Sequence, residues 1–115
     1  MQVLFHIDER ERWEITLNNL EAMSNHARET SGAFVVEVVA NGAAVADLQE
    51  KEAKRSGRCE RLARLGTAIR FCACGNALRN LEIPADALLP FVEVVPAGVV
   101  EIAERQHAGY AYIKP

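Results

Sequence analysis

Residues Thr67–Leu78 read Thr-Ala-Ile-Arg-Phe-Cys-Ala-Cys-Gly-Asn-Ala-Leu, an apolar run that ends on two cysteines. Gly75 and Asn76 then turn the chain into a short helical pattern. This arrangement is typical of a buried parallel strand whose carboxyl end opens into a crevice. A thiol at Cys74 would lie at that end, where the free N–H groups of the next helix favour thiolate over thiol. The stretch therefore predicts a fold class and a candidate nucleophile.

The rest of the chain alternates predicted strands with predicted helices. The strands are expected at 2–7, 33–40, 67–74, 91–95 and 110–114. The helices are expected between Asp8 and about residue 30, at 49–65, at 76–81, as a turn at 85–89, and at 98–107. Asp8, with Glu11 three residues later, has the spacing of a capping box. The alternation predicts a single α/β domain over residues 1–115, a three-layer α/β/α sandwich with a mainly parallel five-stranded sheet.

Composition argues against several classes of protein. The net charge of −3 gives no general attraction to nucleic acid. No apolar run approaches the ~20 residues that cross a bilayer, and no signal-peptide pattern follows Met1. Three cysteines, two of them too close for an ordinary disulfide framework, suit free thiols in a reducing compartment. We therefore expect a cytoplasmic protein with no nucleic-acid and no membrane partner.

The three cysteines allow two further interpretations. Cys72 and Cys74 are two residues apart, which places their side chains on one face of a strand. Free cysteine is among the most buried residue types, so Cys72 and Cys59 are predicted to pack in the core. Zinc held by the cysteines and a histidine is the alternative, but structural zinc prefers cysteines separated by two to four residues on tight turns. We expect no metal and no cofactor.

Charged and polar residues add three observations. His6 and Asp8 end the first strand, at the same edge as Cys74 if the strands are parallel, although a strand histidine is more often simply hydrogen-bonded. Arg70 is a charge inside a strand that should be apolar, which predicts a subunit interface with a carboxylate opposite. A basic stripe is either a solvated face with local ion pairs or a docking surface for an acidic partner. The stripe consists of Lys51, Lys54, Arg55, Arg58, Arg61 and Arg64.

The order of several motifs resembles the DsrE/DsrF-like (sulfur-relay-like) family, in particular its short members. The likeness covers essentially the whole chain. The matching segments are 3–7, 41–42, 66–71, 74–78, 94–99 and 105–115. The resemblance implies a DsrE-like sandwich that assembles as a homotrimer or hexamer. For the better understood members it also implies a cysteine that carries sulfane sulfur as a persulfide, and Cys74 occupies the matching position.

Two functions follow as hypotheses. The first is a sulfur carrier or sulfurtransferase-like protein that holds a persulfide on Cys74 and exchanges it with a donor or acceptor protein. Cys72 would then be a resolving thiol, and Asn76 would cap the helix. The expected binding residues are Gly75, Asn76, His6, Asp8, Asn41 and Gly42. The alternative is a non-catalytic oligomeric module that binds a small ligand or anion at the same rim.

A second argument for an oligomer comes from the last predicted strand. Residues 110–114 carry two tyrosines and an isoleucine, and no later segment covers them. An uncovered apolar strand edge invites pairing with another chain. We therefore expect that the protein does not work as a monomer.

Overall fold

The computed structural model describes residues 1–115 and contains one five-stranded sheet. All its neighbouring strands run parallel, in the order β4-β3-β2-β1-β5. The strands are β1 (Gln2–Ile7), β2 (Val35–Ala40), β3 (Arg70–Cys74), β4 (Glu93–Val95) and β5 (Ala111–Ile113). The predicted α/β class and parallel sheet are confirmed, and the sheet is parallel throughout rather than mainly so.

Five α-helices connect the strands. They are α1 (Trp13–Thr30), α2 (Glu50–Arg55), α3 (Cys59–Leu65), α4 (Gly75–Asn80) and α5 (Gly98–His107). Three 3₁₀ segments, Arg10–Arg12, Gly42–Leu48 and Ala85–Ala87, complete the connections. None of the helices has both the length and the apolar character needed to cross a membrane.

The strand register brings four strand ends to one edge of the sheet, which we call the carboxyl edge. Ile7 of β1 pairs with Ala40 of β2, and Ala40 pairs with Ala73 of β3. One residue further along, Cys74 pairs with Val95 of β4. Segments that follow these strands therefore meet around Cys74.

The two faces of the sheet are covered unequally. The larger apolar cluster contains 23 buried residues and draws on α1, α2, α3 and α4, with Trp13, Leu17 and Leu62 among its members. The smaller cluster contains five buried residues and draws on α5 alone. Its members are Leu4, Val39, Cys72, Val95 and Ile102. One helix thus shields the face that carries Cys72.

The helix predicted over 49–65 is interrupted. Gly57 adopts a φ of +77°, a left-handed conformation that a helix cannot continue through, and it separates α2 from α3. The expected capping box is also absent, since α1 begins after a 3₁₀ turn without a side-chain cap. The carboxylate of Asp8 instead accepts a hydrogen bond from Lys114 at 2.9 Å.

Much of the basic stripe is engaged by α1. Arg58 and Arg61 pair with Glu14, at 3.3 and 2.9 Å. Arg61 and Arg64 pair with Glu21. These cationic groups therefore join two helices within the chain, which favours the ion-pair interpretation over a docking surface for an acidic partner.

Candidate functional site

Cys74 is the last residue of β3 and lies at the carboxyl edge with 6% of its surface exposed. The backbone N–H of Gly98 donates a hydrogen bond to its Sγ at 3.2 Å. Gly98 begins α5, so the donor comes from a ten-residue helix across the edge. The sequence predicts donors from α4 instead. A helix N–H that points at sulfur stabilises negative charge there, which suits a nucleophilic thiolate.

The neighbours of Gly98 leave little room for a side chain at this position. A Cβ on Gly98 would lie 3.1 Å from Cβ of Asn41 and 3.2 Å from Cβ of Cys74. A Cβ on Gly75 would likewise lie 3.0 Å from the carbonyl oxygen of Val95. Because neither glycine has a side chain, the start of α5 and the end of β4 can lie close to Cys74.

His6 connects this edge to β5. Its Nε2 lies 2.9 Å from Oδ1 of Asn41, and its Nδ1 lies 2.6 Å from the hydroxyl of Tyr112. Because an amide oxygen only accepts, Nε2 carries a proton and donates to Asn41, and Nδ1 hydrogen-bonds with the hydroxyl of Tyr112. Asn41 also lies against Gly98. A chain of polar contacts therefore runs from Tyr112 to the residue beside the thiol.

The remaining predicted binding residues divide into two groups. Gly42 has a φ of +54°, and a Cβ there would lie 3.2 Å from the carbonyl oxygen of Asp8, so the two residues are close neighbours at the carboxyl edge. The hydrogen bond from Lys114 holds the pKa of Asp8 below its ordinary value. Asn76 is exposed and accepts a hydrogen bond from Arg79 rather than capping α4.

Exposed apolar side chains are present on the segments next to Cys74. Val94 of β4 and both Val99 and Val100 of α5 are exposed. The cavities of the protein lie elsewhere. One of about 510 Å³ is lined by residues such as Met23, Phe34 and Leu65, and one of about 360 Å³ lies between α1 and β5. Neither is lined by Cys74, so the thiol is reached from the surface at the rim.

The second thiol on β3 has very different surroundings. Cys72 is fully buried, and burial, with a smaller contribution from the charge of Glu37, raises its pKa to about 12. Arg70 lies beside it and forms ion pairs within the chain, to Glu37 at 2.7 Å and to Glu101 at 3.0 Å. Glu93 is a third partner of Arg70. The prediction that Arg70 needs a carboxylate from another subunit is therefore wrong.

Sequence reasoning missed three residues of the carboxyl edge. Gly98 and Tyr112 were read only as parts of a helix and a strand. Val95-Pro96-Ala97-Gly98 could have identified the first, because a glycine that opens a helix directly after a strand lies at the same edge as Cys74. Lys114 required the position of β5 next to β1, which periodicity does not give.

Comparisons with known proteins agree with this architecture. A model of the DsrE/DsrF-like family matches residues 1–115. A solved protein of unknown function, MTH1491 from Methanobacterium thermoautotrophicum, is 35% identical and superposes with a TM-score of 0.83. The similarity covers 99% of this chain and 98% of that one. No curated relative matches the chain at a significant level.

Proposed function

Since the chain belongs to the DsrE/DsrF-like family, we propose that it is a sulfur carrier that holds sulfane sulfur as a persulfide on Cys74. The observation that carries the proposal is the hydrogen bond from the Gly98 N–H to Sγ of Cys74 at 3.2 Å. It supplies a fixed donor to a thiol at the carboxyl edge, where parallel α/β proteins place their chemistry.

The proposed step is a thiol exchange that is neutral in redox balance. The Cys74 thiolate attacks the outer sulfur of a donor persulfide, and a new S–S bond forms to Sγ. The bond between the two donor sulfurs breaks, and its electron pair leaves on the donor as a thiolate. Delivery is the same reaction in the other direction, with an acceptor thiolate attacking the outer sulfur. The Gly98 N–H stabilises the Cys74 thiolate at the start of loading and at the end of delivery.

Burial argues against the role of a resolving thiol for Cys72. Cys72 has no exposed surface and a pKa raised to about 12, so it does not supply the thiolate that a resolving thiol needs. We therefore place no step on Cys72. Free cysteines throughout accord with a cytoplasmic location, where thiols stay reduced.

The proposal includes a homo-oligomer, a trimer or a doubled trimer. The exposed residues Val94, Val99 and Val100 beside Cys74, and Tyr112 on the opposite edge strand, support it, because exposed apolar side chains mark contact surfaces. Assembly through them would gather several Cys74 sites along subunit boundaries. Light scattering at micromolar concentration tests this part separately. A single species of 12.7 kDa would contradict it.

The test of sulfur carriage is intact mass after incubation with inorganic polysulfide. We expect the reduced wild-type protein to gain the mass of one sulfur atom and to lose it on addition of dithiothreitol. Cys74→Ser should abolish the gain. Cys59→Ser is the matched control, because it removes a thiol that lies away from the carboxyl edge and should leave the gain in mass intact.

Two results would overturn the proposal. One is a folded wild-type protein that takes up no sulfur, which would favour the non-catalytic binding module instead. The other is uptake that survives Cys74→Ser and disappears in Cys59→Ser. Far-ultraviolet circular dichroism of each variant separates loss of chemistry from loss of fold.

A further inference from the structure

A second cluster of ionisable groups lies between the sheet and α5, apart from Cys74. Glu37 of β2, Cys72 of β3 and Glu101 of α5 come from three different elements. Sγ of Cys72 and one carboxylate oxygen from each glutamate all lie within 4.8 Å of one another. The side chain of Glu37 is 3% exposed and that of Glu101 is 11% exposed. The cluster thus offers three donor atoms in a largely dry environment.

One of the buried oxygens has no partner. Oε1 of Glu37 accepts from Nη1 of Arg70 at 2.7 Å and lies 3.1 Å from Nε of Arg105. Oε2 of the same carboxylate is buried and makes no hydrogen bond within the protein. Buried polar atoms are nearly always satisfied, so an oxygen left open beside a thiol and a second carboxylate points to an absent occupant.

A proton is the simplest occupant. Burial raises the pKa of Glu37 to about 7. A hydrogen bond from a protonated Glu37 is the largest contribution that lowers the pKa of Glu101 to about 2. Near neutral pH, Glu37 can therefore keep a proton and donate it to Glu101. A proton shared by the two carboxyl groups does not involve the thiol of Cys72.

A divalent cation would use all three groups and balance their charge. With Cys72 as thiolate, the cluster holds four negative charges, from Glu37, Cys72, Glu101 and the adjoining Glu93. Arg70 and Arg105 supply two positive charges. A cation of charge +2 brings the total to zero, while the protons of Glu37 and Cys72 leave to solvent.

We propose that Glu37, Cys72 and Glu101 bind one divalent cation of the zinc class. A thiolate ligand selects such a cation over magnesium or calcium, which prefer oxygen alone. Three protein ligands suit a tetrahedral ion with water in the fourth position. Arg70 and Arg105 hold the outer carboxylate oxygens, as hydrogen-bonding groups around metal sites commonly do. This ligand set differs from the zinc site of cysteines and a histidine that was considered from the sequence.

The test uses Co²⁺ as a spectroscopic probe on the reduced full-length protein. We expect a thiolate-to-cobalt charge-transfer absorption that saturates at one ion per chain and is displaced by Zn²⁺. Cys72→Ser should remove this absorption. Cys74→Ser and Cys59→Ser are the matched controls, because each removes one thiol outside the cluster, and both should retain it.

Glu101→Gln provides a variant that keeps the thiol and the volume of the side chain. We expect it to weaken the affinity for Co²⁺ about tenfold or more while the absorption at saturation persists. The proposal is overturned if the wild type shows no thiolate absorption with excess Co²⁺. It is also overturned if the absorption is lost in Cys74→Ser rather than in Cys72→Ser. Since Cys74 takes no part, failure of the proposed sulfur chemistry would leave this result unaffected.

Discussion

Cys72 and Cys74 are two residues apart on one short strand, yet they lie in opposite chemical environments. Cys74 ends β3 at the carboxyl edge and accepts a backbone N–H. Cys72 is enclosed among carboxylates, and its pKa is raised to about 12. The strand itself does not decide between these states. The neighbouring helix α5 contributes to both environments, because its Gly98 lies beside one thiol and its Ile102 and Glu101 lie beside the other.

The largest expected effect is the difference in alkylation rate between the thiols in the metal-free protein. The pKa of Cys72 rises from 9.0 to about 12, so its thiolate fraction near neutral pH is about a thousandfold below that of an ordinary thiol. We expect iodoacetamide to modify Cys74 first, then Cys59, and Cys72 last. Peptide mapping of time points gives the order.

Denaturant provides the control for this experiment, since the three thiols should react at similar rates in the unfolded chain. Modification of Cys59 before Cys74 in the folded protein would contradict the placement of the reactive thiol. Early modification of Cys72 would remove the contrast between the two sites.

The next largest effect is expected from Gly98→Ala. The added methyl would lie 3.2 Å from Cβ of Cys74 and 3.1 Å from Cβ of Asn41, so α5 must move away and the N–H donor with it. A hydrogen bond to a charged group contributes about 1.5–3 kcal/mol. We therefore expect sulfur uptake from polysulfide to slow about ten- to a hundredfold.

Gly32→Ala is the matched control for Gly98→Ala. A Cβ there would meet only the side-chain oxygen of Thr30, far along the chain from the carboxyl edge. Its uptake rate should equal that of the wild type. An unchanged rate in Gly98→Ala would show that the donor does not assist Cys74.

Arg70→Met tests the surroundings of the other thiol. The change removes one of two cations that hold Glu37, whose side chain is 3% exposed. We expect the free energy of unfolding to fall by about 1–3 kcal/mol, in the lower part of that range, because Arg105 remains and Arg70 is itself 38% exposed. Urea denaturation in the presence of a chelator measures it.

Arg55→Met is the control, because that side chain is exposed and pairs only on the surface with Glu52. Its denaturation midpoint should match the wild type. Arg70→Met should also leave the oligomeric state unchanged, since its partners lie in the same chain. Dissociation of an oligomer by this variant would restore the interface interpretation.

The smallest effect is expected from Cys72→Ala. The thiol packs among the other four residues of the smaller cluster, and its removal leaves only a small gap. We expect a loss of about 1 kcal/mol in the metal-free protein, measured by the same denaturation. A loss of several kcal/mol would mean that Cys72 contributes mainly to packing and would weaken the case for a ligand.

The sequence was most informative about elements with strong local signals. The bounds of β1 and α5 are those predicted, because a β-branched or apolar run and a Pro-Ala-Gly start define them locally. β2, β3, β4 and β5 are each shorter than predicted. The residues that flank them are mostly apolar and resemble strand residues in sequence, but they lie beyond the residues that pair with a neighbouring strand. Periodicity extends one helix over 49–65, whereas the left-handed conformation of Gly57 divides it in two.

The site could be predicted only in part, for a physical reason. Cys74, His6 and Asn41 follow from strand ends, and parallel strands bring such ends to one edge without further information. The donor at Gly98 and the cluster around Glu37 depend on where α5 crosses the sheet. That crossing joins residues distant in sequence, which local periodicity does not encode.

The position of α5 has a thermodynamic consequence. Gly98 and Glu101 are three residues apart in one helix, so the atoms beside the two thiols belong to a single rigid body. Any group that binds Glu101 more tightly in one position of α5 also favours the matching position of Gly98. By reciprocity, a group bound at Cys74 that favours one position of α5 would then change the affinity of a group bound at Glu101 by the same factor as the reverse effect. One helix thus offers a physical route by which the surroundings of the two thiols could influence each other.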